Sequence, residues 1–344
     1  MAATTGATMT GETRMSWGNA EAPHYERLRV VVAGSDAETM ASIEESLHER
    51  GIIEVVLCDS TERLHRALNN EIVDLLLYDY RVGDGKFADV MRRIRRKEIG
   101  QNPFVTVIAA IRDSKAETVR RLIEAGVDDL IRMPISIGRV FESIGNAARR
   151  RRPFVVTYDY VGPQRPTAKG NRRPTDKGAK VPNTLKSRAF DNVPEEEIRT
   201  MIQQAVHEMV GRQLENCGVE IDRLAKRVVD SYASIEGSDR NIAMRGTLSL
   251  VAAAASDLRH RARGTPLERV SGLAATLVPI AQRILDAPSG RAAVEVKLLS
   301  QLAAAVRVAL SDESDSDPTI RAITDTIGNF ARRAAPGAST LSAA

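Results

Sequence analysis

Between residues 28 and 148, short apolar runs and segments of helical period alternate five times over. LRVVVAG (28–34) reads as a buried strand, and DAETMASIEESLHERG follows with Met40, Ile43 and Leu47 at helical spacing before Gly51. IIEVVLC, DLLLYD, FVTVIAA and VDDLIRMP read as four more strands. TERLHRALNN, FADVMRRIRRKE, KAETVRRLIEAG and ISIGRVFESIGNAARR read as the helices after them. Strands that are apolar throughout, each followed by a helix, require a parallel sheet covered on both faces, an α/β (βα)5 doubly wound sheet. The chemistry of such sheets collects at the carboxyl ends of the strands. Asp79 closes DLLLYD at such an end and is followed by the turn YRVGDG.

The pattern stops at residue 149. From Arg149 to Arg188 there are twelve Lys/Arg against two Asp, a local charge of +10 in a chain whose formal net charge is +4. This Pro- and Gly-rich stretch, 149–192, reads as a basic linker with one short strand at PFVVTY. From residue 193 to 335 the signal is helical. Val210, Leu214, Cys217, Ile221, Leu224 and Val228 step by three and four, and the same spacing returns through Leu248–Ala262, Leu267–Ile284, Leu299–Ala309 and Ile320–Ala334. Thr265-Pro266, Ser289 and Asp317-Pro318 offer helix starts, and Gly264 offers a stop. Short connections predict an up-and-down α-helical bundle. Gly218 lies in mid-seam, where the sequence leaves open whether the helix splits. Residues 1–27 and 336–344, small and polar, read as disordered tails.

Several classes of function have no support in the residues. Nothing approaches the apolar length of a membrane span, and the N-terminus lacks the apolar core of a secretory signal. Cys58 and Cys217 lie far apart, which fits a reduced, cytoplasmic setting without a metal site. His24, His48, His65 and His207 have no partner at ligand spacing. No Ser-His-Asp set occurs, and GDGK (83–86) lacks phosphate-loop spacing. These readings favour a chain that is not an enzyme.

The order and spacing of residues 28–148, with Asp79, the AGVDD turn (125–129) and Met133-Pro134, resemble a CheY-like receiver domain of bacterial response regulators. The resemblance implies that Asp79 stands at the phosphoacceptor position. Phosphoryl transfer there rests on charge neutralisation and positioning, for which the family supplies a Mg²⁺ ion, an acidic pair, a hydroxyl, a lysine and a switching aromatic. Here the matching positions read Gly34-Ser35 for the pair, Ala109 for the hydroxyl, Met133 for the lysine and Leu130 for the aromatic. Asp36, one residue late, is a possible displaced metal ligand. The site is thus expected to be a degenerate receiver, with no cofactor unless Asp79 is phosphorylated, when Mg²⁺ would be needed. The resemblance also implies a docking face over 113–146, where Arg112, Arg120, Arg121, Arg132 and Arg139 cluster; a solvated helix face is the alternative.

His260, in HRARG, has the look of a phosphotransfer histidine, but Thr265-Pro266 sets a helix boundary close behind it. Three functional readings follow. The first is a pseudo-receiver signalling protein that acts through protein partners, with the bundle as output or self-association module. The second is a phosphorylation-dependent regulator using Asp79 in a phosphorelay, with Asp36 at a displaced metal site. The third is a nucleic-acid binder acting through the basic linker, with Tyr158 and Tyr160 as stacking surfaces; a solvated tether is favoured over it. TIRAITDTIGNFARR at the C-terminus only faintly suggests a helix-turn-helix.

Overall fold

The computed structural model describes residues 23–83, 86–112, 115–164, 178–234, 238–265, 267–286 and 292–311, without the side chains of 238–243. Five strands, β1 (Arg29–Ala33), β2 (Glu54–Cys58), β3 (Leu75–Asp79), β4 (Thr106–Ile111) and β5 (Asp129–Arg132), form one parallel sheet in the order β2-β1-β3-β4-β5. α1 (Ala37–Glu49) and α5 (Ile137–Arg150) cover one face, where Met40, Leu47, Val140 and Ile144 pack on Val30, Val32, Leu75 and Leu77. α2 (Thr61–Asn70), α3 (Phe87–Arg95) and α4 (Ala116–Ala125) cover the other through Leu64, Met91, Ile94 and Leu122. Every residue of β3 and β4 is buried, which is why these strands read as unbroken apolar runs. The strand order reverses between β1 and β3, so the crevice beyond their carboxyl ends opens beside Asp79.

Residues 149–192 depart from the expected tether. β6 (Phe154–Val156) and β7 (Val161–Pro163) pair antiparallel, Phe154 bridges to Ala179, and α6 (Thr184–Ala189) lies against α5. Phe154 and Leu185 are fully buried. The basic residues between 165 and 177 lie outside the described residues.

α7 (Glu195–Ser234), α8 (Ser238–Ala262), α9 (Glu268–Asp286) and α10 (Ala293–Ala309) form the helical part, each touching two others in a closed ring. The core is the seam read in the sequence, including Leu214, Ile221, Val228, Leu258, Leu277 and Leu302. α7 is one helix of 40 residues. Its first half packs Ile198 and Ile202 on Ile72 of the α/β domain, and its second half belongs to the bundle. The helix expected at 318–334, Pro266, the starts at Ser289 and Asp317-Pro318 and both outer tails fall outside the described residues, apart from residues 23–27, of which Tyr25–Arg27 form a short 3-10 turn; Thr265 stands ahead of α9, its Oγ1 accepting from Leu267 N at 3.2 Å.

Gly218 does not split α7. A Cβ there would stand 2.7 Å from Leu310 Cδ1 and 3.3 Å from Arg307 Cα, so the missing side chain admits α10. Gly218→Ala is therefore expected to destabilise the protein by up to about 2 kcal/mol in urea unfolding. Overpacking against Leu310 and the α10 backbone, about 1–3 kcal/mol, is set against the roughly 1 kcal/mol of helix propensity gained.

Candidate functional site

Asp79 ends β3 with its carboxylate almost wholly buried. Its oxygens are already engaged. Arg81 N donates to Oδ1 at 3.1 Å, Arg81 Nε to Oδ1 at 3.4 Å and Arg81 Nη2 to Oδ2 at 3.1 Å. The turn is set by its neighbours: Tyr78 Oη donates to Val82 O at 2.9 Å, and Gly83 adopts φ +81°. Burial, with the Asp79 charge adding to it, pushes the Tyr78 hydroxyl up to about 12, so it remains a donor.

The cleft beneath Asp79 is apolar. Met40, Leu77, Ile108, Ile131 and Met133 line it with Ala110. At Gly34, where the resemblance implies an acid, a Cβ would lie 2.9 Å from Met40 Cγ, so the Met40 side chain already fills that space. Ser35 is exposed. Asp36 borders the cleft but caps α1, accepting from Thr39 N at 3.4 Å and Thr39 Oγ1 at 2.7 Å. Those bonds hold its carboxyl below the usual range. Met133 lines the cleft, and Leu130 packs on the opposite face with Val107 and Leu122.

One position needs correcting. Ala109 pairs with Tyr78 and faces the α2–α4 side, whereas Ala110 pairs with Asp79 and lines its cleft. In a parallel sheet, partnered side chains share a face. The β4 residue that shares the Asp79 face is therefore Ala110, which also has no donor.

These residues do not fit Mg²⁺. A hard cation takes carboxylate, carbonyl or water oxygens, but here Arg81 holds the acceptor, Thr39 holds the neighbouring acid, and thioether and aliphatic carbons make the floor. Among the described residues, no group of three His, Cys, Asp or Glu converges as a metal site.

The other singled-out residues are dispersed. His260 is exposed near the end of α8. Arg112, Arg120, Arg121, Arg132 and Arg139 are exposed; Arg139 pairs with Glu142 at 2.5 Å and Arg120 with Glu124 at 4.0 Å. Tyr158 packs against the bundle core, and Tyr160 Oη donates to Pro163 O at 2.7 Å, so neither is a free stacking platform. Burial pushes the thiols of Cys58 and Cys217 up to about 11 and about 12, leaving both unreactive at neutral pH.

Two buried ionic clusters were not foreseen. Asp128 accepts from Arg95 Nη2 at 3.1 Å, Arg151 Nε at 2.9 Å and Val107 N at 2.9 Å. The two guanidiniums also stand 5.1 and 4.9 Å from the Phe154 ring centroid, clamping β6 to the foot of β4. Arg95 further donates to Pro103 O and Gly126 O, and burial lowers its pKa to about 10, still protonated at neutral pH. At the amino end of β3, Asp74 is fully buried and ion-paired with Arg188 at 2.8 Å. Arg188 continues to Glu195 at 2.6 Å, which also takes Arg29 at 3.1 Å. The first turn of α7 is thus tied to the sheet.

Five parallel strands in the order 2-1-3-4-5, with helices on both faces and an acid closing the third strand, are now established. The α/β half has the CheY-like receiver fold. No family model matches the chain, and no curated protein matches it. Solved structures do. A response regulator receiver protein from Pseudomonas putida is 23% identical, covering 35% of this chain and 97% of its own, with a TM-score of 0.31. A putative pilus assembly protein from Burkholderia thailandensis is 20% identical over 36% of this chain and 99% of its own, with a TM-score of 0.31. Full-length FixJ from B. japonicum is 12% identical over 81% of this chain and 98% of its own, with a TM-score of 0.28. Beyond the α/β half the described residues hold α6 and the four long helices α7 to α10, and none of the described helices is long and apolar enough to cross a membrane.

Proposed function

We infer that this chain is a signalling protein whose receiver domain works without phosphorylation, acting through protein partners with the helical bundle as its output surface. The observation that carries the reading is the Arg81 guanidinium on both oxygens of Asp79. A receiver phosphorylates by bringing a cation to that carboxylate and a donor to the incoming phosphoryl oxygens. Arg81 supplies the charge permanently, while Ala110 and Met133 offer no donor and Met40 fills the room beside Gly34. The site therefore serves as a fixed brace of the 79–83 turn. Partner capture is the work left to the domain.

The test is the intact mass of the full chain after incubation with Mg²⁺ and a small-molecule phosphodonor, beside Asp79→Asn and a working receiver. No phosphoryl increment is expected while the working receiver gains one. An increment on the wild type that disappears in Asp79→Asn overturns the reading and restores the phosphorelay.

A further inference from the structure

The two edges of the receiver sheet are unlike. β5 has four residues and carries charge at both ends, Asp129 and Arg132, a usual protection against edge pairing. β2, with its approach, reads Ile53-Glu54-Val55-Val56-Leu57-Cys58 and has no Pro, Lys or bulge. Ile53 is 66% and Val56 49% exposed, two of the few large apolar side chains left open among the described residues. Val55 and Leu57 are half-buried on the opposite face.

The direction of the backbone groups fixes what this edge can accept. Gly34 N donates to Cys58 O at 3.0 Å, so the Cys58 peptide groups face β1. Alternation turns those of Val56 and Glu54 the same way and those of Val55 and Leu57 outward. The outward Val55 N–H finds only Ile53 O, two residues back at 3.2 Å.

We propose that β2 is a homodimer surface, pairing antiparallel with β2 of a second copy about a two-fold axis at Val56. In that register Val55 and Leu57 of one copy exchange backbone hydrogen bonds with Leu57 and Val55 of the other. The two Val56 residues form the close, non-hydrogen-bonded pair on the axis. The faces match as well as the backbone. On one face Val55 meets Leu57 of the second copy. On the other, Glu54 comes opposite Cys58 of the second copy, beside Arg63, which lines the same groove. Glu54 is bonded to Arg29 at 2.8 Å and Arg63 to Asp59 at 3.1 Å, both pairs exposed. Two-fold pairing joins them into a row of alternating charge, repeated on the other side of the axis. Charge and shape on this edge are thus self-complementary, as an isologous contact requires. An interface built on five-residue strands lies at the small end of specific contacts, so the dimer is weak and concentration-dependent.

Sedimentation velocity of the full chain from low to high micromolar concentration tests this, with Val56→Lys and Val56→Cys compared under mild oxidation. The native cysteines are buried. Dimerisation is expected to rise with concentration and to be lost in Val56→Lys, whose far-UV circular dichroism stays that of the wild type. Val56→Cys is expected to form a disulfide-linked dimer, and Leu250→Cys, on the exposed side of α8, is not. A chain that stays monomeric throughout overturns the proposal. So does a dimer that Val56→Lys leaves intact, which would place association on the bundle or elsewhere.

Discussion

Asp128→Ala is expected to cost about 3–5 kcal/mol of unfolding free energy, the penalty for stripping a buried charge of its partner. Here the exposed debt is double. The Arg95 and Arg151 side chains are 1% and 8% exposed, and both direct donors at the 7% exposed Asp128. Arg95 is sealed from water and Arg151 nearly so, and a guanidinium does not shed its proton at neutral pH. Val107 N loses its acceptor as well. Asp128→Asn keeps the shape and one acceptor oxygen, so its loss is expected to be smaller. Chemical denaturation of wild type, Asn and Ala variants checks the order. Equal stability of all three would mean that Phe154 and the surrounding carbonyls hold both arginines unaided.

The second large effect is a pH dependence. Burial pushes the Asp74 carboxyl up to about 6, against the opposing pull of Arg188 and the bond from Arg29 N. A pKa raised in the folded state means that the folded chain binds the proton more tightly than the unfolded one. The resulting stabilisation is complete below the ordinary carboxylate range near pH 4 and is lost as pH rises through about 6. A carboxyl that titrates near 6 when folded and near 4 when unfolded contributes about 3 kcal/mol at the acid end. Glu195, in the same cluster, acts the other way. Its partial burial favours the proton, but hydrogen bonds and charge from Arg188 and Arg29 outweigh it and lower its pKa. The prediction therefore concerns a difference: between pH 4 and 6, wild type minus Asp74→Asn stability should fall as pH rises. A flat difference would show that Arg188 keeps Asp74 ionised throughout.

Much of this molecule was readable as a string because its strands are buried on both faces and its helices carry one apolar stripe each. Those two patterns gave the α/β half, the bundle seam and the place of Asp79. The buried ion pairs escaped detection for one reason. Arg151 and Arg188 sit in a stretch so rich in Lys, Arg, Pro and Gly that solvation was the natural reading. Their burial depends on carboxylates far away in sequence, Asp128 and Asp74, and guanidinium geometry finds such partners only once the chain has closed. Arg81 was visible two residues after Asp79, but a turn does not reveal which way its side chain folds. The exchange of Ala109 for Ala110 is a register matter. One residue along a strand reverses the face, and spacing from a motif cannot resolve it.

The unbroken run of α7 has a mechanical consequence. At about 1.5 Å per residue its 40 residues make a rod of about 60 Å. The rod is pinned near one end, where Arg188 and Arg29 grip Glu195, and rests at mid-length on β6, where Asn216 Nδ2 donates to Val156 O at 2.8 Å. With neither Gly211 nor Gly218 acting as a joint, the rod has no place to absorb a rotation locally. A tilt of about 5° at the pinned end would sweep the far end through about 5 Å. The shaft amplifies: a displacement at the foot of the sheet too small to register in a strand reaches the far end of the bundle as a movement the width of a side chain.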